Sequence, residues 1–167
     1  MAEEGAQLVL SPAGVDLARL VSELRPKIAG AQVSVLHDMV VVDVPRERLV
    51  EAARVLRDDP LTRCDMYSVN AGVDMANGEL RSVTFVRGSA TRVAAMIRTR
   101  CTEDDPHVPS LVPVWTGANW CERETYDMFG IVFDGHPDMR RVFLEETFPG
   151  HPLRKAFLPP RSDARGG

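Results

Sequence analysis

What this sequence lacks narrows it before any motif is considered. It has three cysteines, Cys64, Cys101 and Cys121, widely spaced and without a Cys-x-x-Cys pair. Iron–sulfur clusters and structural zinc need clustered ligands, and a disulfide framework needs more cysteines. The expectation is reduced, structural thiols, with any nearby redox work done by groups this chain does not carry. No stretch approaches the roughly 20 apolar residues that cross a bilayer; the best run, Met39 to Val44, is interrupted by Asp43. The opening Met-Ala-Glu-Glu-Gly lacks the basic and apolar regions of a secretory signal. These absences predict a cytosolic chain, or one held at a membrane only through other proteins. Excess positive charge is also missing: the net charge is −4. Residues 1–136 hold 14 basic and 20 acidic side chains, and residues 137–167 hold 6 and 4. An acidic body with a mildly basic end argues against nucleic acid as the partner.

What is present suits one soluble domain with a core: 167 residues, 44% hydrophobic and 26% charged. Apolar residues from Val15 to Ile28 recur at helical spacing, predicting a helix over 14–29 that Pro26 ends or bends. Val33–Leu36 and Met39–Val44 read as a hairpin turning at His37-Asp38. Pro45 suits a helix first turn, and a helix is predicted over Arg46–Arg57, stopped by Asp58-Asp59-Pro60. Strands follow at Leu61–Val73, Glu79–Arg87 and Ala90–Arg100, the last two joined by a two-residue Gly88-Ser89 turn. The fold class expected is α+β: an antiparallel or mixed sheet with helices packed on one face, then a further helix and an extended C-terminal arm. The expected segments are a loose lead-in (1–12), an α+β domain (13–133) and a partner-binding arm (134–167).

Alternation puts Arg81, Val83, Phe85 and Arg87 on one face of the last hairpin, joined by Arg92, Ala94, Met96 and Arg98. Leu80, Thr84, Val86, Val93, Ala95 and Ile97 line the other face, which suits the core. The arginine face is either solvated or a protein contact.

The densest chemistry lies between Trp115 and Phe157. A helix capped by Asn119 or Thr116 is predicted to run to Phe129. Ala118, Cys121, Thr125, Met128 and Phe129 share one arc, with Trp120, Arg123 and Asp127 opposite. Glu122 and Glu124 flank the arc on different sides, so they do not converge as an acid–base pair. Arg123 and Asp127, four apart, can pair along the helix. So charged a helix is expected to bridge layers of an assembly rather than bury its charges. His136 and His151 sit in matching Gly135-His136-Pro137 and Gly150-His151-Pro152 triplets, which read as tight turns before metal ligation. Arg140-Arg141 and Arg154-Lys155 could grip a partner's carboxylates. The proline-rich end has no core of its own and needs a surface to lie on.

These residues resemble the signature of the C subunit in the peripheral arm of proton-pumping NADH:quinone oxidoreductase, respiratory complex I. Glu122-Arg123-Glu124, Tyr126-Asp127, Phe129-Gly130, then Phe133 to Asp138, Arg140-Arg141, and Gly150 to Lys155 match in order and spacing. Asp104-Asp105-Pro106, Val108-Pro109-Ser110 and Ala118-Asn119-Trp120 look like the same family. Phe143 and Ala156 depart from its pattern, which predicts altered local packing. The resemblance implies a subunit with no catalytic residue, cofactor or metal of its own, serving as scaffold in the quinone-reducing module. NADH, FMN, iron–sulfur clusters and quinone would sit on other subunits, and the arm would wrap onto the large hydrogenase-derived one. The implied place is the cytoplasmic face of the bacterial cell membrane, reached through partners. Alternatives are the equivalent subunit of a related membrane-bound hydrogenase or a ferredoxin- or deazaflavin-fed dehydrogenase. More distant is a stand-alone metal-dependent hydrolase using His136, His151 and Glu122 or Glu124.

Overall fold

Five strands make a mixed sheet in the order β1-β2-β5-β4-β3. They are β1 (Gln32–Leu36), β2 (Met39–Asp43), β3 (Met66–Asp74), β4 (Glu79–Arg87) and β5 (Ala94–Thr102). All neighbours are antiparallel except β2 and β5, which run parallel. The computed structural model describes residues 14–158. The expected lead-in over 1–12 and the final part of the arm, 159–167, lie outside the described residues.

Helices α1 (Leu17–Leu24) and α2 (Leu49–Asp58) cover one face of this sheet. Asp16 caps α1 by accepting from the Arg19 N–H at 3.0 Å. Leu17, Leu20, Val21 and Leu24 then fall on a single stripe and are buried. The predicted helix over 14–29 is shorter: Arg25–Lys27 tighten into a 3₁₀ turn around Pro26, whose missing N–H cannot continue the α ladder. The predicted helix at Arg46 likewise opens as a 3₁₀ turn, Arg46–Arg48, before α2. β2 is buried on both faces through Val40, Val41 and Val42, as its unbroken valine run demands.

Two strand boundaries move. The strand expected from Leu61 begins at Met66, because residues 61–65 are used to close α2. Thr62 Oγ1 donates to the Leu56 carbonyl at 2.7 Å, and the Cys64 N–H reaches the same oxygen at 2.9 Å. The two-residue turn at Gly88-Ser89 is instead a six-residue loop, since Arg87 pairs with Ala94. Asp65 holds this loop by accepting from the Ser89 N–H at 2.8 Å. The extra four residues are an even number, so every side chain keeps its expected face. Arg92 leaves the strand for the loop, with φ +59°; Arg100, paired opposite Arg81, extends the arginine face.

A second unit follows. Strands β6 (His107–Pro109) and β7 (Val132–Asp134) pair in parallel on either side of helix α3 (Ala118–Phe129). α3 packs on the core face of β3. Gly72 permits this approach, because a Cβ there would overlap the Phe129 ring. Asn70 bridges the layers: it donates to Ser82 Oγ (2.8 Å) and Thr84 Oγ1 (2.9 Å) and accepts from Thr125 Oγ1 (2.7 Å). A buried amide so fully satisfied fixes the helix on the strand without leaving a polar cost. The Trp115 indole N–H donates to the Cys64 carbonyl at 2.8 Å, tying the entry to α3 to the end of α2.

Candidate functional site: the motif helix and its strap

α3 begins without a side-chain cap; Gly117 holds that position, not Asn119 or Thr116. The preceding turns serve instead, with the Ala118 N–H on the Trp115 carbonyl and the Asn119 N–H on the Thr116 carbonyl. Glu122 is fully buried. Its two carboxylate oxygens accept from Ser110 Oγ (2.6 Å) and the Leu111 N–H (2.7 Å), fastening the loop after β6 to the helix. Burial pushes its carboxyl up to about 7, against the pull of those two donors. Glu124 is only half-buried and shares neither partner.

Asp127, also fully buried, is the hub of the arrangement. One oxygen accepts the N–H groups of Val142, Phe143 and Leu144 at 3.1, 2.8 and 3.0 Å. The other accepts from the Arg141 guanidinium at 2.8 Å. Burial acts to raise its pKa, but the backbone donors and Arg141 outweigh it and hold the carboxyl below the usual range. Arg141 then donates to the carbonyls of Phe148 (3.3 Å) and Gly150 (3.1 Å). The expected Arg123–Asp127 pair does not form. Arg123 stacks over Trp120 and donates to the carbonyls of Arg140 (3.1 Å) and Arg141 (3.3 Å). The charge expected to face other layers of an assembly is therefore met at Asp127 by this chain's own arm.

The end of α3 shows why the closing motif has its composition. A helix terminus leaves four carbonyls without intrahelical donors. Here the Tyr126 carbonyl accepts from the Gly130 N–H (2.8 Å) and that of Met128 from the Leu153 N–H (3.1 Å). The Asp127 carbonyl takes His151 Nδ1 (3.0 Å), and the Phe129 carbonyl the Arg154 guanidinium (2.6 Å). A cation at this end is also favoured by the helix dipole. Gly130 is required twice over: its φ is +71°, and a Cβ would run into the His151 ring. The Lys155 N–H reaches Asp74 on β3 at 2.8 Å.

The first Gly-His-Pro turn clasps the opposite end of the helix. His136 Nδ1 accepts the Asp138 N–H at 3.0 Å, which leaves Nε2–H to donate to the Asn119 carbonyl, also at 3.0 Å. Asn119 and Asp127 are eight residues apart, about 12 Å along a helix. The two histidines therefore grip separate ends and do not converge on one metal. Arg140 is exposed and forks onto Asp138 at 2.6 and 2.8 Å.

The described arm, residues 135–158, is thus a strap laid over α3 and the end of β3. Its exposed apolar side chains are Phe143 (59% exposed), Leu153 (54%) and Leu158 (86%), and Trp120 near the start of α3 is 55% exposed. Trp120 precedes Asp127 by seven positions and shares its helix stripe. The same segment also exposes Arg140 and Lys155, with Glu124 half-buried. Sequence inspection missed Asn70 and Asp74, and named Ser110 in a family match and Thr125 on the apolar arc without assigning either a partner. No periodicity marks the first two: the core-facing positions of β3 are Asn70, Gly72 and Asp74, while the apolar Val69 and Val73 face away.

The family model described as the 30 kDa subunit of respiratory-chain NADH dehydrogenase matches residues 42–163. A curated relative, the C subunit of NADH-quinone oxidoreductase from Roseiflexus castenholzii, is 43% identical over 141 residues, covering 83% of this chain and 80% of the relative. The protein of the same name from Nocardioides sp. is 37% identical over 144 residues, covering 84% of this chain. The chain spans 58% of that relative's length. Among solved structures, the trypsin-resistant fragment (1–134) of Nqo5 aligns with TM-score 0.60 and 28% identity, covering 73% of this chain and 98% of the fragment. A chain of the membrane-bound sulfane sulfur reductase, an archaeal respiratory membrane complex, aligns with TM-score 0.71 and 22% identity over 83% of this chain and 84% of that one, a likeness of fold alone.

Proposed function

Because this chain belongs to the family of the respiratory-chain NADH dehydrogenase 30 kDa subunit, we propose that it is a scaffold of the quinone-reducing module of proton-translocating NADH:quinone oxidoreductase. It carries no electrons itself; NADH, FMN, iron–sulfur clusters and quinone belong to other subunits. It docks on the large hydrogenase-derived subunit with the side that bears α3 and the strap, and the segment 134–167 is the partner-binding arm. It reaches the cytoplasmic face of the membrane through these partners; no described helix is long and apolar enough to cross a bilayer.

One observation carries this reading. The motif's buried charged groups, Glu122, Asp127 and Arg141, all bond within the chain. What the same segment turns outward is Trp120, Phe143, Leu153 and Leu158. Exposed bulky apolar groups interspersed with exposed charges are the composition of a protein interface.

The test is co-purification from native membranes. In the full chain, Trp120→Glu with Phe143→Glu is expected to abolish recovery of the large quinone-module subunit while the melting temperature of the isolated chain falls by no more than about 4 °C, the loss of the exposed Arg123 stack. Undiminished recovery would remove this side of the protein from the interface. Stoichiometric metal, or turnover by the isolated chain, would overturn the scaffold role itself.

A further inference from the structure

The helices cover one face of the five-stranded sheet, and the opposite face has no element over it among the described residues. Its side chains run across the sheet in register. One row is Ser34, Val41, Met96, Phe85 and Val69; the next toward one end is Leu36, Met39, Ala94, Arg87 and Met66. Toward the other end stand Asp43, Arg98 and Val83, then Arg100, Arg81 and Val73. Val41, Val83 and Met96 form a small apolar cluster with Met39 and Phe85 that includes no helical residue.

The charge on this face is one-sided. Arg98 pairs with Asp43 and Arg81 with Glu79. Arg87 and Arg100 are exposed and have no carboxylate partner among the described residues. Among the described residues no acidic side chain on the face is left over, in a chain whose net charge is −4. Two copies of such a face would set arginine against arginine, so a second copy of this chain is disfavoured.

We propose that this face is a second docking surface, separate from α3 and the strap, and that its occupant is an amphipathic acidic helix of another protein. Aliphatic side chains on that helix lie over the half-buried Phe85 and the exposed Met66, Val69 and Val73 beside it, with the buried Val41, Val83 and Met96 as the floor beneath, and carboxylates at its two ends meet Arg87 and Arg100. The spacing sets its length. Arg87 and Arg81, the residue opposite Arg100, are six positions apart on β4, about 20 Å at strand rise. A helix spans that distance in about 13 residues.

The experiment replaces Phe85 with the photoreactive p-benzoylphenylalanine in the full chain, within native membranes, and identifies the cross-linked peptide by mass spectrometry. A parallel replacement at Trp120 reports on the strap side. The expected Phe85 product is a peptide of another protein with Asp or Glu on both sides of an aliphatic stretch. Adding Arg87→Glu and Arg100→Glu is expected to cut the Phe85 yield roughly tenfold, as two rim ion pairs allow. The Trp120 yield is expected to stay the same, and Arg87→Lys with Arg100→Lys to restore the Phe85 product. The proposal fails if Phe85 gives no product, or one with lipid, with a second copy, or with residues 1–13 or 159–167 of this chain. It also fails if charge reversal leaves the yield unaltered. Loss at Trp120 alone would count against the scaffold interface and leave this one standing.

Discussion

Replacing Asp127 with alanine should release the strap without unfolding the sheet. Four donors converge on this carboxylate, three from the backbone of 142–144 and one from Arg141. Removing one partner of a buried ion pair costs about 3–5 kcal/mol, because the remaining charge keeps its desolvation penalty. Arg141 retains the Phe148 and Gly150 carbonyls, which places the loss toward the lower end. At about 1.4 kcal/mol per factor of ten, amide exchange at 142–144 should quicken by roughly two orders of magnitude or more. Amides of β4 and β5 should keep their protection, since opening is local where few contacts are shared. Trypsin should report the same event by cutting after Arg140, Arg141, Arg154 and Lys155. Asp127→Asn preserves shape but offers one acceptor to four donors, so it should resemble alanine. Asp127→Ala with Arg141→Ala should cost less than the sum of the single changes. Wild-type exchange in Asp127→Asn, or a global melt in Asp127→Ala, would refute the hub role.

Four further outcomes follow from the same geometry. The Asp127 carboxyl is held below its ordinary value, so its contribution is complete above pH about 4 and lost as pH falls further; cleavage of the strap by pepsin, which works in acid, should rise steeply below that pH. Glu122 acts oppositely: its pKa is raised from 4.5 to about 7, so the folded state binds the extra proton and stability declines as pH rises through that interval. The loss is about 3 kcal/mol at most, and Glu122→Gln should flatten the melting temperature between pH 5 and 8. Gly130→Ala should lose about 1–3 kcal/mol, from positive φ and from overlap with His151, measured by chemical denaturation. Gly72→Ala should be destabilising alone because its Cβ overlaps Phe129, and much less so in a Phe129→Leu background.

The sequence alone determined the helices, the five strands of the large sheet and most of their faces, but not β6 and β7 or the buried face of α3. Apolar spacing in Leu17–Leu24 and Leu49–Asp58, and alternation in Glu79–Arg87, act within one element and so appear directly in the residue order. The arginine face survived a wrong loop length because its parity did not change. Only the tertiary structure decided the parallel pairing of β2 with β5, the six-residue loop and the path of the arm. It also decided what the motif is bonded to. Arg123, His136, His151, Arg154 and much of Arg141 reach backbone carbonyls. Every residue carries the same carbonyl, so its position as a partner leaves no mark in the sequence. The donors were visible as an unusual cluster; that they close the ends of the chain's own α3 depends on which oxygens that helix leaves unpaired in space.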